Sequence, residues 1–279
     1  METLQLLLSI DLNYILIVLI VIFYSLEQLL GNQFTFTRRP RHLFHNAMFQ
    51  LALFVCNIFY ATVTVFAIEW LNSHRIGILY LFQIPVWLKL IFGLVIFDFV
   101  SYWFHRMAHI VPILWRFHRV HHSDTSMDAS TNLRAHPIEV LLWFGTSNIL
   151  AAAIFGLDLA SLGLYILVAT LFFFLEHANL RFPKWIDRSF GLLITTPNLH
   201  KIHHEQDQHY TDSNFSDIFI IWDRIFGTYK YKHVEQLNLG LKEFDDERKQ
   251  TFWYLIKSPF LRVRRIPSDE LIHQEDTSL

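Results

Sequence analysis

The sequence predicts an all-α protein, a multi-pass transmembrane helical bundle of four to five spans with a cytoplasmic helical cap. Three observations predict it. Hydrophobic residues make up 53% of the 279 positions and charged residues only 17%, whereas a globular chain carries about 25% charged residues. The apolar positions fall in runs of span length rather than in amphipathic stripes. Ten of the 16 histidines lie between positions 105 and 204, in tight groups that the span count places on one side of a membrane.

The first run, Leu12 to Leu30, suits a spanning helix, since a bilayer core takes about 20 residues. Neither Lys nor Arg precedes it and no small-residue cleavage site follows, so a retained anchor is expected rather than a removable leader. A second run, Met48 to Leu71, contains Asn57 and ends near Glu69. A third, Pro85 to Phe104, has Lys89 near one end and Asp98 inside, and leads into the first histidine pair. Ile138 to Glu176 divides at Gly156, Leu157 and Asp158 into two arms of a helical hairpin. Arg38, Arg39 and Arg41 follow the first run, which makes that loop cytoplasmic. Counting spans from there delivers His105, and after the hairpin His177, to the cytoplasmic side; a four-span version with a re-entrant hairpin gives the same result. From Arg181 the chain is polar, and Thr251 to Arg265 reads as an interfacial helix. One domain is expected over 1–279: an anchor region over 1–89, a catalytic core over 90–230 and a C-terminal tail over 231–279.

The chemistry lies in the histidines. His105 and His109 are four apart at the end of a helix, so both rings face one side. His118, His121 and His122 stand at i, i+3 and i+4, and His200, His203 and His204 repeat that spacing. A lone HxxxH is usually a pair of surface histidines, but three clusters together point to metal, because neutral imidazoles buried near a membrane each need a partner. His136, in Arg134-Ala-His136-Pro137-Ile-Glu139, and His177, in Leu175-Glu176-His177, return to the same side and are candidate ligands too. The single cysteine, Cys56, excludes sites built from several thiolates. Imidazole suits Zn, Cu, Fe and Ni. Zinc takes three or four protein ligands, so eight clustered histidines are too many for one ion and right for two. A pair of ions with open positions points to oxygen chemistry, although spacing leaves two zincs open. His42, His45, His74, His209, His233 and His273 lack the spacing and are expected to be solvent-facing or structural.

Three carboxylates need roles. Asp98, seven residues before His105, shares its helical face and is expected to support a ligand imidazole. Asp223 is expected to orient a histidine. Asp124, directly after the second cluster, fits either that role or a turn cap.

At these residues the sequence resembles the fatty acid hydroxylase and sterol desaturase superfamily of membrane di-iron enzymes. The shared order is HxxxH (His105, His109), HxxHH (His118, His121, His122), His136-Pro137, the lone His177, a second HxxHH (His200, His203, His204), Asn214-Phe215, and Trp222 to Thr228. The resemblance covers roughly residues 90 to 230. It implies two irons, O2 as co-substrate, and hydroxylation or desaturation of a C–H bond in a sterol, fatty acyl or alkylglycerol-like lipid drawn from the bilayer. It also brings Asn214 into the site beside Asp98 and Asp223. The stretch Tyr210 to Thr228 is similar to alkylglycerol monooxygenases, while Ser216 stands where glycine often follows the Asn-aromatic pair. The chain has no dinucleotide fingerprint and no heme or iron-sulfur segment, so a separate electron donor is expected on the cytoplasmic face of a bacterial inner membrane or endoplasmic reticulum.

Two other classes compete. A di-zinc membrane hydrolase would use metal-bound hydroxide on a lipid ester or phosphate. A metal transporter would hold its sites at mid-membrane rather than beside the spans. A net charge of −2 gives a nucleic-acid partner no support.

Overall fold

The apolar runs fold as helices, and punctuation residues set where they stop. In the computed structural model, which describes residues 12–30, 34 and 39–261, α1 is Leu12–Leu30, α2 is Arg39–Ser73 and α3 is Val86–Ile110. Arg38, His273 and the far end of Thr251 to Arg265 lie outside the described residues. Pro112 opens α4 (Pro112–His122) after an extended Val111, because proline suits the first helical position but not the interior of a helix. The hairpin is present: α5, Pro137–Phe155, contains a π-helical stretch at Leu141–Gly145, and α6 is Leu159–His177. Gly156 adopts a left-handed conformation at the end of α5, and the Asp158 side chain accepts from the Ser161 N–H to start α6. The short α7, Pro197–His203, carries the last histidine cluster. Among the described residues, the only strand-like pairing is the bridge between Glu205 and Leu239.

The core forms where α3 and α6 cross. Gly93 sets their approach, since a Cβ there would stand 2.4 Å from the Ser161 Cβ. Phe97 and Tyr165 stack below it with ring centroids 5.6 Å apart. Outward faces remain apolar and bare, with Val21 on α1, Phe59 and Phe66 on α2 and Trp87 on α3 exposed, as a lipid-facing surface requires. Among the described residues, three helices are long and apolar enough to cross a membrane: Val86–Ile110, Pro137–Phe155 and Leu159–His177. A fourth is added if Arg39–Phe54 and Cys56–Leu81, bent by 45°, count as one. The apolar helix Tyr14–Leu30 is shorter.

One segment departs from expectation. Thr251 to Arg265 does not begin as an interfacial helix; Phe252–Leu255 forms one turn whose Phe252 and Leu255 pack inward with Phe49 and Trp115. Burying these apolar side chains outweighs leaving them at an interface. His42 is largely shielded, lying 2.8 Å from Asp124 and 3.4 Å from Asp128. Asp124 also takes the Thr131 hydroxyl and lies 3.6 Å from the buried Arg134 guanidinium. Burial alone would raise the Asp124 carboxyl, but Arg134 and His42 hold it well below the usual carboxylate range. This charge network supports the end of α4 from behind.

Candidate metal centre

Nine histidines converge in two groups. His105, His109, His118, His122 and His203 form the first; His121, His177, His200 and His204 form the second. Within each group the ligand atoms all lie within 4.8 Å of one another. The i, i+3, i+4 spacing divides between them: α4 sends His118 and His122 to one group and His121 to the other, and the last cluster sends His203 to the first and His200 and His204 to the second. The groups adjoin, with the His122 and His204 rings stacked 4.6 Å apart.

The ring orientations are set from behind. Nδ1 of His105 donates to the carbonyl of Phe215 at 2.7 Å, that of His203 to Ser213 at 2.7 Å, that of His177 to Phe173 at 2.6 Å and that of His121 to Arg134 at 3.2 Å. A carboxylate receives Nδ1 of His118 (Glu139, 2.5 Å) and of His109 (Asp212, 3.1 Å). A carbonyl can only accept, so these Nδ1 atoms carry the proton and each Nε2 presents a bare lone pair inward. Those lone pairs face each other at close range. The Nε2 atoms of His105 and His118 are 3.1 Å apart, and those of His121 and His177 are 3.0 Å apart. The buried Nε2 of His203 has no hydrogen-bond partner. Opposed lone pairs and a buried orphan are costly without a cation between them, so the donor set fits metal ions.

Protonation agrees. Burial, reinforced by neighbouring imidazoles, holds His122, His200, His203 and His204 well below the usual histidine range and His121 at about 4. These rings are therefore neutral near pH 7, as metal ligation requires.

His136 stands apart. Its Nδ1 accepts from the Ile138 N–H at 3.1 Å and its Nε2 donates to the Ile256 carbonyl at 3.1 Å. Both nitrogens serve the backbone, one as a cap for α5, so the ring joins neither group. Asp98, Asp223 and Asn214 touch no imidazole. Asp98 accepts from the N–H groups of Ile218 and Phe219 and from the Trp222 indole. Asp223 accepts from the N–H groups of Phe215 and Ser216 and from the hydroxyls of Ser216 and Thr228. Asn214, with φ 51°, donates to the carbonyls of Leu199 and Lys230. All three fix the loop whose Ser213 and Phe215 carbonyls hold His203 and His105.

The residues not foreseen are Glu139, Glu176 and Asp212 around the rings, and Asp217 in the cavity wall. The two glutamates carried a signal, since acids inside apolar arms are functional by default; the two aspartates sit in an irregular loop with no periodic pattern. A cavity of about 200 Å³ opens against His105, His118, His121, His177 and His200.

A family model described as fatty acid hydroxylase matches residues 90–228. The chain belongs to the fatty acid hydroxylase family. Among its relatives in that family, human alkylglycerol monooxygenase is 34% identical over 151 residues, which is 52% of this chain and 31% of that protein. Methylsterol monooxygenase 2-2 of Arabidopsis thaliana is 33% identical over 162 residues, 56% of this chain and 59% of that protein. An ornithine lipid hydroxylase of Rhizobium tropici is 31% identical over 162 residues, 53% of this chain and 43% of that protein. The chain thus spans less than two thirds of each of these relatives. No solved structure matches this family member.

Proposed function

We propose that the chain is an O2-dependent lipid hydroxylase working at a non-heme iron pair, one ion for each histidine group. The observation that carries this reading is the set of opposed Nε2 atoms 3.0–3.2 Å apart. Two nitrogens bound to one ion at about 2.1 Å stand about 3.0 Å apart at a right angle and about 3.4 Å apart at a tetrahedral angle. The observed spacing lies within reach of both, and the count supports the first: five histidines in one group exceed the four ligands of a tetrahedral zinc and suit a five- or six-coordinate ion.

The chemistry supplied by two ferrous ions held there is the activation of O2 for attack on an unactivated C–H bond. The chain's own part is placement. Neutral imidazoles hold the ions, the loop carbonyls and Glu139 fix the rings, and Leu133, Trp143 and Phe173 line an apolar cavity that keeps water from the reacting carbon. The relatives named above act by their names on an alkylglycerol, a methylsterol and an ornithine lipid. A lipid is what these share, and hydroxylation fits their names better than desaturation. The balanced reaction takes a C–H group, O2, two electrons and two protons to C–OH and water. The electrons are to come from a separate donor protein at the face bearing the histidines, read as cytoplasmic.

The test is metal analysis of freshly purified protein together with O2 uptake upon lipid addition and a reductant. About two irons per chain and lipid-dependent uptake are expected. Stoichiometric zinc in active protein, with no uptake and with hydrolysis of a lipid ester, would replace this reading by the di-zinc hydrolase.

A further inference from the structure

A small cavity of about 50 Å³ lies behind the first histidine group. Phe104 and Ala108 of α3 and Phe117 of α4 line it, and each directly precedes a histidine of that group, His105, His109 or His118. Leu114 and Leu142 complete its apolar wall.

Glu139 and Trp143 line both this cavity and the histidine cavity of about 200 Å³, so these two side chains form the partition. They stand four apart on α5, on one face of the helix, and the π-helical stretch Leu141–Gly145 begins between them. Such stretches are rare and gather at functional sites. Here the Trp143 indole lies against the rings of His105 and His118, with centroids 4.9 and 5.4 Å apart. One ring therefore separates the small cavity from the place where the first ion would be held.

Size and wall chemistry narrow the occupant. The space is too small for an aliphatic chain, for which the apolar cavity of about 440 Å³ beside the histidine cavity offers room. A water molecule needs only about 10–15 Å³ by this measure, but it also needs about two to four polar partners. The wall offers it little. The Glu139 oxygens already accept from the Nδ1 of His118 at 2.5 Å and the N–H of His136 at 3.4 Å, and apart from the indole the remaining lining is Phe, Leu and Ala. A small apolar molecule meets neither objection, and being uncharged it is indifferent to ions held beyond the partition. Leu142 is 45% exposed on the outer side of a span-length helix, so the approach is from the bilayer, where apolar O2 dissolves better than in water.

We propose that this cavity is an O2 site: the gas enters from the bilayer past Leu142, rests against Trp143 and passes that ring to the first histidine group, while the lipid takes the larger space. This rests on the lipid hydroxylase reading and deepens it by giving the two substrates separate routes. Passage asks for the movement of one side chain.

Crystals of the metal-loaded full chain pressurised with xenon, an apolar atom that fills dry cavities, give a readout that needs no turnover. Xenon should appear between Ala108, Phe117 and Trp143 in the parent and be absent there in Ala108→Leu, which fills the space from α3. At an oxygen electrode, Ala108→Leu should raise the KM for O2 about fivefold, while the KM for lipid, the kcat at saturating O2 and the metal content stay within about twofold. If Ala108→Leu fails to retain metal, Leu114→Phe fills the space from α4 with the same expected changes. Xenon missing from the parent cavity, an unchanged KM for O2 in a variant that has lost xenon, or a KM for lipid that rises as much as that for O2 would each overturn the proposal. Xenon in the cavity of a protein that shows no lipid-dependent O2 uptake would instead remove the hydroxylase reading and leave a gas-binding cavity standing.

Discussion

The two histidine groups are unequal, and the inequality suggests a division of labour. The first has five histidines, and four of them, His105, His109, His118 and His203, are braced at Nδ1 by a loop carbonyl or a carboxylate. The second has four, of which His121 and His177 are braced by carbonyls and His200 stands 3.6 Å from Glu176. Three of the four rings in the second group line the cavity, against two of five in the first. The group with fewer histidines is thus the one turned further toward the cavity.

The adjacent residues His203 and His204 give the largest test, because they belong to different groups. His203→Ala and His204→Ala should each lose about one ion per chain and all lipid-dependent O2 uptake, measured by metal analysis and an oxygen electrode. Loss of both ions from either variant would make the groups one interdependent cluster. A smaller effect separates the bracing. Glu139→Gln should weaken metal at the first group about 10- to 100-fold, read by competition with a chelator, and leave the second group unchanged. Glu176→Gln should act more weakly, since its carboxylate stands beyond hydrogen-bond distance from His200.

Both groups lie apart from the α3–α6 crossing, so a change there should spare them. Gly93→Val should cost about 1–3 kcal/mol by overpacking against Ser161, visible in thermal denaturation in detergent, with metal stoichiometry intact. His136→Ala should have the smallest effect: a lost cap worth about 0.5–2 kcal/mol and no change in bound metal. Metal loss in that variant would return His136 to the ligand set.

The helices and the clusters were legible because both obey local periods. A run of apolar residues or an i, i+4 pair of histidines states its geometry within a few positions. What braces the rings was not legible, because it comes from irregular backbone: Ser213 and Phe215 contribute carbonyls, which no side chain advertises. Asp98 shows the same limit. Its helical face pointed toward His105, but two loop N–H groups and the Trp222 indole, more than a hundred residues away in sequence, claimed the carboxylate instead. His136 is placed outside both groups for a local reason: it precedes Pro137 at a helix start, where a ring nitrogen can cap the backbone.

Glu27 gives the first helix a part in this architecture. Its carboxylate is fully buried and accepts the backbone N–H groups of Ala129 and Asn179, each at 2.8 Å. Residues made early on the ribosome thus wait for partners made about 100 and 150 positions later, and the ligand set itself is complete only once His204 has been translated. Neither histidine group can therefore be complete until late in biosynthesis. A fragment trimmed to the family core would reach that moment with two backbone donors and no acceptor.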